Sequence, residues 1–343
     1  MTTLTTRAFG RTGWQTTTVG LGAFAIGGPA WSYGWGAQDD DESVATIRSA
    51  VEQGINWIDT AAVYGRGHSE RVVGRAISAF SAEERPLIFT KGGLVWSDDD
   101  TLETGERKVG HPASLRREVD DSLERLGVDV IDLYQMHWPA QDGTSLEDYW
   151  GTLVELRDAG KVRAIGLSNH DVDELERAER IGHVDSLQPP FSAIHRGAAA
   201  DVIPWCAANG TAVIVYSPMQ SGLLTGSMTA ERVAALPSND WRSRHEDFRG
   251  EGLRRNLAVA DALGEIASSR GVTTAEVAIA WTLGFPGVTG AIVGARRPEQ
   301  IRGWRSAGDI ELTEDEYRAI TDVIEREGCG EGPSLPAVSL SAR

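Results

Sequence analysis

Four polar residues in this 343-residue chain have the types and placement of a proton-transfer device: Asp59, Tyr64, Lys91 and His137. Asp59 falls near the end of the apolar run "INWIDT", and Tyr64 follows in the loop "AAVYG". Lys91 ends "LIFTK" and His137 ends "VIDLYQMH". A tyrosine at its ordinary pKa of about 10 is a slow acid at neutral pH. An ammonium group beside it would stabilise the phenolate and lower that pKa, while a carboxylate would hold the ammonium in place. A neutral histidine can donate to a substrate oxygen and orient it. Such a set suits a carbonyl that takes a hydride at carbon and a proton at oxygen. None of the four is a hydride source, so a nicotinamide cofactor is implied. Singly, each has an ordinary reading: loop cap, half-buried aromatic, strand-end charge, satisfied core histidine. Their common position at strand ends weighs against those readings. So does the scarcity of lysine, since Lys91, Lys108 and Lys161 are the only three, against thirty arginines.

The elements that must position these residues are short apolar runs alternating with amphipathic ones. Strands are expected at 18–24, 55–60, 87–91, 130–137, 162–168, 185–189, 211–217 and 290–295. Between them lie helical patterns such as "DDDESVATIRSAVEQG" and "SLRREVDDSLERLG", which open on Asp or Ser as caps and close on Gly. Eight such units indicate a parallel α/β protein. A doubly wound sheet would carry GxGxxG after its first strand. Here "GLGAFAIGG" misplaces the third glycine and "GRGHSE" lacks it. The expected fold is therefore a (β/α)8 TIM barrel with an N-terminal hairpin and extended rim loops. It is expected to form one domain over 1–343, with a loosely packed tail from about 328. Two longer insertions, 27–38 and about 222–252, follow strand ends, where barrels of this kind place their active sites.

Composition narrows the class. A net charge of −17 argues against nucleic acid and against anionic membrane surfaces as partners. Two cysteines, Cys206 and Cys329, with no CxxC and no histidine cluster, exclude a disulfide framework or zinc ribbon and fit a reducing cytoplasm. No bound metal is expected. The N-terminal "MTTLTTRAFGRTG" lacks a signal-peptide core, and no run approaches the roughly 20 apolar residues of a membrane span. Oligomeric state stays open.

The sequence resembles the aldo-keto reductase family along nearly its whole length. The resemblance is carried, in family order, by "FGRTG", "VGLGAF", "GINWIDTAAVYGRGHSERVVGRAI", "LIFTK", "IDLYQMHWP", "GKVRAIGLSNH", "LQPPFS", "VIVYSPMQSGLLTG" and "GAIVGARRPEQI". It implies a barrel that binds NADP(H) across its rim, with NAD(H) as the other possibility, and a catalytic tetrad at Asp59, Tyr64, Lys91 and His137. Cofactor contacts are implied at Gly22, Phe24 and Asp59. Ser168, Asn169 and Gln188 would hold the carboxamide, and Tyr216 would stack on the ring. The pyrophosphate would follow Ser217, Pro218, Met219, Gly222 and Leu223. The adenosine end would meet Gly294, Ala295, Arg296, Arg297 and Gln300. Gly303 and Trp304 stand where relatives commonly carry a Glu-Asn pair.

The eleven tryptophans divide into core candidates, Trp150, Trp205 and Trp281, and rim candidates. Trp31, Trp35, Trp96 and Trp138, with Tyr64 and His137, are the expected substrate contacts; Tyr33 and Trp241 fall nearby. The activity implied is interconversion of a small aldehyde or ketone, sugar-derived in one version, with its alcohol. The alternatives are a sugar dehydrogenase working mainly in the oxidative direction with NAD(P)+, and a cofactor-sensing subunit like the potassium-channel beta subunits.

Overall fold

A residue alternation of large and small shapes the interior of the sheet. Trp57 fills the space above Gly20, where an added Cβ would lie 2.2 Å from the indole Cε2. Its indole N–H donates to the Thr17 carbonyl at 2.7 Å. Around this packing the computed structural model, which describes residues 3–29, 31–97, 99–101, 105–237 and 240–336, closes a barrel.

Strands β1 (Thr6–Ala8) and β2 (Gln15–Thr17) form an antiparallel hairpin. The first barrel strands are β3 (Val19–Gly22), β4 (Trp57–Asp59) and β5 (Leu87–Gly92). A two-stranded ribbon follows, β6 (Leu94–Val95) with β7 (Arg107–Lys108). The barrel resumes with β8 (Ile131–Met136), β9 (Val162–Ser168), β10 (Ser186–Gln188), β11 (Ala212–Val215) and β12 (Gly290–Gly294). The eight strands pair in parallel in the closed order β10–β11–β12–β3–β4–β5–β8–β9. This is the expected (β/α)8 TIM barrel with its N-terminal hairpin. The hairpin seals one end: Phe9 packs on Phe89 at 5.2 Å between ring centres, and Trp14 stacks on Phe89 at 6.2 Å.

Helices cover the outside, among them α1 (Asp40–Glu52), α2 (His68–Ile77) and α3 (Pro112–Leu126). As expected, the Asp39 carboxylate caps α1, accepting the Glu42 N–H at 2.8 Å. The start of α3 differs from the sequence reading. Pro112 is preorganised for the first helical position, so the helix begins before Ser114 and His111 becomes its cap. Ser114 lies inside the helix and donates to Glu118 at 2.8 Å. Several strands also stop short of their expected ends. β11 ends at Val215, and Ser217 turns to φ 58 where strand geometry cannot continue.

Beyond α11 (Glu314–Glu327), Arg196 donates to the carbonyls of Gly330 and Gly332, both at 3.2 Å. The rest of the tail, 337–343, lies outside the described residues. No helix among the described residues is long and apolar enough to cross a membrane.

Candidate active site

Parallel register brings the strand ends to one rim. Gly22 is opposite Asp59, Asp59 opposite Phe89, and Lys91 opposite Gln135. Lys91 Nζ lies 2.6 Å from Asp59 Oδ1, 2.9 Å from the Thr60 carbonyl and 3.4 Å from Tyr64 Oη. All three ammonium protons thus have acceptors. Asp59 Oδ2 accepts from Gln188 Nε2 at 2.9 Å, so both carboxylate oxygens are held. Asp59 and Lys91 are 2% and 1% exposed, and Tyr64 is 7% exposed. The His137 ring meets the Tyr64 ring edge to face at 5.8 Å, and its Nδ1 is buried with no partner among the described residues.

The electrostatics follow from this burial. Burial pushes Asp59 up and Lys91 down, and each charge opposes the shift of the other. Burial also drives Tyr64 well above the ordinary phenol range, with the Asp59 charge and then Tyr216 adding to it. The net direction is therefore up, not down as expected, because burial is the largest influence on Tyr64. Desolvation of the buried phenol outweighs whatever lowering the ammonium at 3.4 Å supplies. Tyr64 consequently keeps its proton at neutral pH. Burial, reinforced by the charges of Lys91 and then Lys108, pushes His137 well below the usual imidazole range, so it stays neutral.

Next to this group lie the residues expected at the nicotinamide. Ser168 Oγ donates to the Gln188 carbonyl at 2.9 Å. Asn169 takes φ 63, and its Nδ2 donates to the His137 carbonyl at 3.0 Å and to Ser168 Oγ at 3.1 Å. Tyr216 donates from its hydroxyl to Asn169 Oδ1 at 2.9 Å. Behind them, His170 is buried between Tyr149 and the Ser168 carbonyl, 2.8 Å from each. The segment from Ser217 through Pro218 and Met219 to Leu223 is sharply turned. Ser217, Gln220, Ser221 and Gly222 have φ of 58, 44, 51 and 92. A Cβ added at Gly222 would meet nothing closer than 3.8 Å, so the chain is open there. Leu223 is buried.

The far end is built differently. Arg296 donates from Nε to Gln38 Oε1 at 2.5 Å, and from its terminal nitrogens to the Trp35 carbonyl at 3.3 Å and the Ala37 carbonyl. Gln300 Oε1 accepts the backbone N–H groups of Arg296 and Arg297 at 2.7 and 3.1 Å. Arg297 is exposed, with one 3.4 Å contact to Glu42, and Gly294 is exposed beside them. Trp304 is buried in the core at 3% exposure, so it packs inside and is not a free stacking plate.

Of the aromatic candidates, Phe24 and Trp31 flank the Tyr64 ring at 5.1 and 5.4 Å. Trp31 is itself buried, and Trp96 packs on the same cluster. Trp35 carries the Arg242 guanidinium on its face at 4.7 Å. Trp138 carries Lys108 Nζ on its face at 4.1 Å. Trp150 and Trp281 are fully buried, while Trp205 is partly so. Sequence reasoning missed Gln135, Lys108, Gln38 and Arg242. A glutamine inside the apolar run "VIDLYQMH" and the second of three lysines were readable signals. Arg242 has none, being one arginine among thirty. Among the described residues, no group of three or more His, Cys, Asp or Glu side chains could hold a metal ion. Cys206 and Cys329 are both buried free thiols.

The sequence matches the family described as "Aldo/keto reductase family" over residues 18–325. It is 33% identical to "Aldo-keto reductase YhdN" of Bacillus subtilis (strain 168), over 92% of each chain. It is 34% identical to "NADH-specific methylglyoxal reductase" of Escherichia coli (strain K12), over 90% of this chain and 95% of that one. Among solved structures, a glycerol dehydrogenase from Gluconobacter oxydans, AKR11B4, superposes with a TM-score of 0.86 at 34% identity. That alignment covers 97% of this chain and 99% of the other.

Proposed function

This chain belongs to the aldo/keto reductase family and is an oxidoreductase that uses a nicotinamide cofactor, and on that premise we propose that it interconverts a small aldehyde or ketone with its alcohol, Tyr64 serving as the acid and base at oxygen. The observation that carries the reading is Lys91 Nζ bridging Asp59 and Tyr64 in a buried site. The nicotinamide, when bound, supplies or takes up the hydride at carbon. The residues fit that group. A turned, open segment at Ser217–Gly222 suits a pyrophosphate, and Ser168, Asn169 and Gln188 present amide and hydroxyl groups beside the tetrad.

Each side chain then has a defined task. Tyr64 holds a proton at rest and gives it to the carbonyl oxygen. As negative charge grows on Tyr64 Oη, the ammonium 3.4 Å away stabilises it, and Asp59 keeps that ammonium aimed. Neutral His137 faces the same oxygen as a donor and fixes its direction. Phe24 and Trp31, against the phenol ring, restrict its rotation. Oxidation of an alcohol uses the same groups in reverse, and the glycerol dehydrogenase likeness supports that direction as the second reading.

For the cofactor we propose NADP(H). Arg297, exposed and 3.4 Å from Glu42, is the more available guanidinium for a 2′-phosphate, and Arg296 reaches one only by leaving the carbonyls of Trp35 and Ala37. The methylglyoxal reductase relative is NADH-specific by name, which keeps NAD(H) as the rival. The acidic charge and the two free thiols support a cytoplasmic setting.

Tyr64→Phe tests the reading. Steady-state turnover on an aldehyde panel is expected to fall by about 10²–10⁴-fold. Fluorescence titration should show cofactor binding retained, with NADPH tighter than NADH. Near wild-type turnover by this variant would end the assignment of Tyr64.

A further inference from the structure

Lysine is rare in this chain, and two of the three lysines are paired with carboxylates: Lys91 with Asp59 and Lys161 with Asp120. The third, Lys108, has no carboxylate partner among the described residues. It sits on β7, in the ribbon that leaves the barrel directly after Lys91, and its backbone is fixed on both sides. Lys108 pairs with Leu94 across the ribbon, and its carbonyl accepts the N–H of Gln141 at 2.9 Å, from the loop beyond His137. The lysine is therefore anchored between the strand end that carries Lys91 and the loop that follows His137.

The charged neighbours on this ribbon have partners of their own. Arg107 pairs with Asp100 at 3.5 Å, and Glu106 pairs with Arg66 at 3.5 Å. Among the described residues no carboxylate lies within ion-pairing distance of Lys108 Nζ. Nζ lies over the face of Trp138, 4.1 Å from the ring centre, and the residue is half-buried there. Lys108 is thus a fixed cation at the active-site rim that faces no acid among the described residues. Its field also reaches the His137 ring.

We propose that Lys108 anchors an anionic group, a carboxylate or a phosphate, on the carbonyl substrate, with Trp138 as the platform between that group and the reacting carbonyl. The inference rests on the reading of Tyr64 and His137 as the carbonyl site and narrows its substrates to acidic aldehydes or ketones. The net charge of −17 repels such molecules at long range, so a local cation at the mouth is what selects them. An ammonium on an aromatic face keeps hydrogen-bond donors to spare, which an oxyanion can take.

The test is a ratio. kcat/KM is measured with NADPH for succinic semialdehyde against butanal, and for D-glyceraldehyde 3-phosphate against D-glyceraldehyde. In the wild type at least one anionic member is expected to exceed its neutral counterpart, and the pair that does so tells carboxylate from phosphate. Lys108→Gln should lower that ratio about tenfold, the scale of one charge-assisted hydrogen bond. Lys108→Arg should keep most of it, and added salt should erode it. An unchanged ratio in Lys108→Gln would overturn the proposal, as would neutral members preferred throughout by the wild type. If no aldehyde is reduced at all, it is the proposed activity that fails. The anion site is then read directly by calorimetric titration of cofactor-loaded protein with 4-hydroxybutanoate and glycerol 3-phosphate. Binding of either, weakened about tenfold in Lys108→Gln, supports the site; equal binding, or none, rejects it.

Discussion

The two ends of the rim are built on opposite principles. At the tetrad, charges hang from strand ends, are buried, and are saturated with partners inside the barrel. At the arginine end, charges rise from loops and bind other loops. Arg296 ties down the first insertion through Gln38 and two carbonyls, and Arg242 ties the second insertion to Trp35. Strand ends are held in place by the ladder. Loop-to-loop bonds are partly exposed and reversible. On the proposed reading the difference teaches where preorganisation is concentrated: chemistry is positioned by the sheet, and retention of the cofactor is left to the loops.

Lys91→Met would break the first half of that contrast most severely. It removes the ammonium but keeps the length and apolar stem of the side chain. Asp59 is then left buried without a cation, a loss of about 3–5 kcal/mol when one partner of a buried pair is removed. Turnover should fall by about 10²–10⁴-fold, because the phenolate loses its stabilising charge. Urea unfolding and steady-state rates measure the two effects. A variant that kept activity within tenfold of wild type would show that the Asp59–Lys91 pair is structural only.

The support behind the strand end can be sharpened by pH. His170, buried between Tyr149 and the Ser168 carbonyl, has its pKa lowered from 6.5 to about 4, chiefly by burial. The unfolded chain takes up this proton near pH 6.5, and the fold refuses it until about pH 4. Stability that is fully present above pH 6.5 is therefore lost as the pH falls towards 4, by about 3 kcal/mol for this group. His137, also pushed down, contributes in the same direction. His170→Gln should flatten the acid limb of urea-melt stability between those pH values, leaving the His137 share. An acid limb identical to wild type would remove His170 from that account.

The same contrast explains what could be read from the sequence. The eight barrel strands are legible because parallel strands buried on both faces appear as continuous apolar runs. Asp59, Lys91 and His137 are legible because a charge or imidazole ending such a run interrupts it. The ribbon β6–β7 has strands of two residues each, too short for any periodicity. Gln38 and Arg296 are 258 positions apart, and nothing local to either announces the other. The direction of the Tyr64 shift is not legible for a related reason. The sequence places Lys91 near Tyr64, but only the structure shows how deeply the phenol is buried. Gln300 reads as a cofactor contact by family likeness, and nothing in the sequence announces that its Oε1 accepts two backbone N–H groups of its own loop.

Arg242→Ala probes the loop end, where the expected effect is smallest. The guanidinium stacks on Trp35 from the first insertion and donates to the Ser221 carbonyl at 3.2 Å, inside the turned segment suited to a pyrophosphate. Its remaining donors go to Asp240, which fixes the arginine without touching the tetrad. Truncation removes a partly exposed cation–π contact worth about 1 kcal/mol, which sets the scale at about fivefold. Cofactor release, followed by stopped-flow fluorescence, should quicken by that factor. The pH profile of a single turnover should not move, because no titrating group of the tetrad has lost a partner. If release limits the steady state, kcat rises rather than falls, the opposite sign to Lys91→Met. An unchanged release rate would mean that the Arg242–Trp35 contact does not retain the cofactor. A lowered single-turnover rate would mean that the loop bond reaches the chemistry after all, and the division between strand-borne and loop-borne ends would have to be given up.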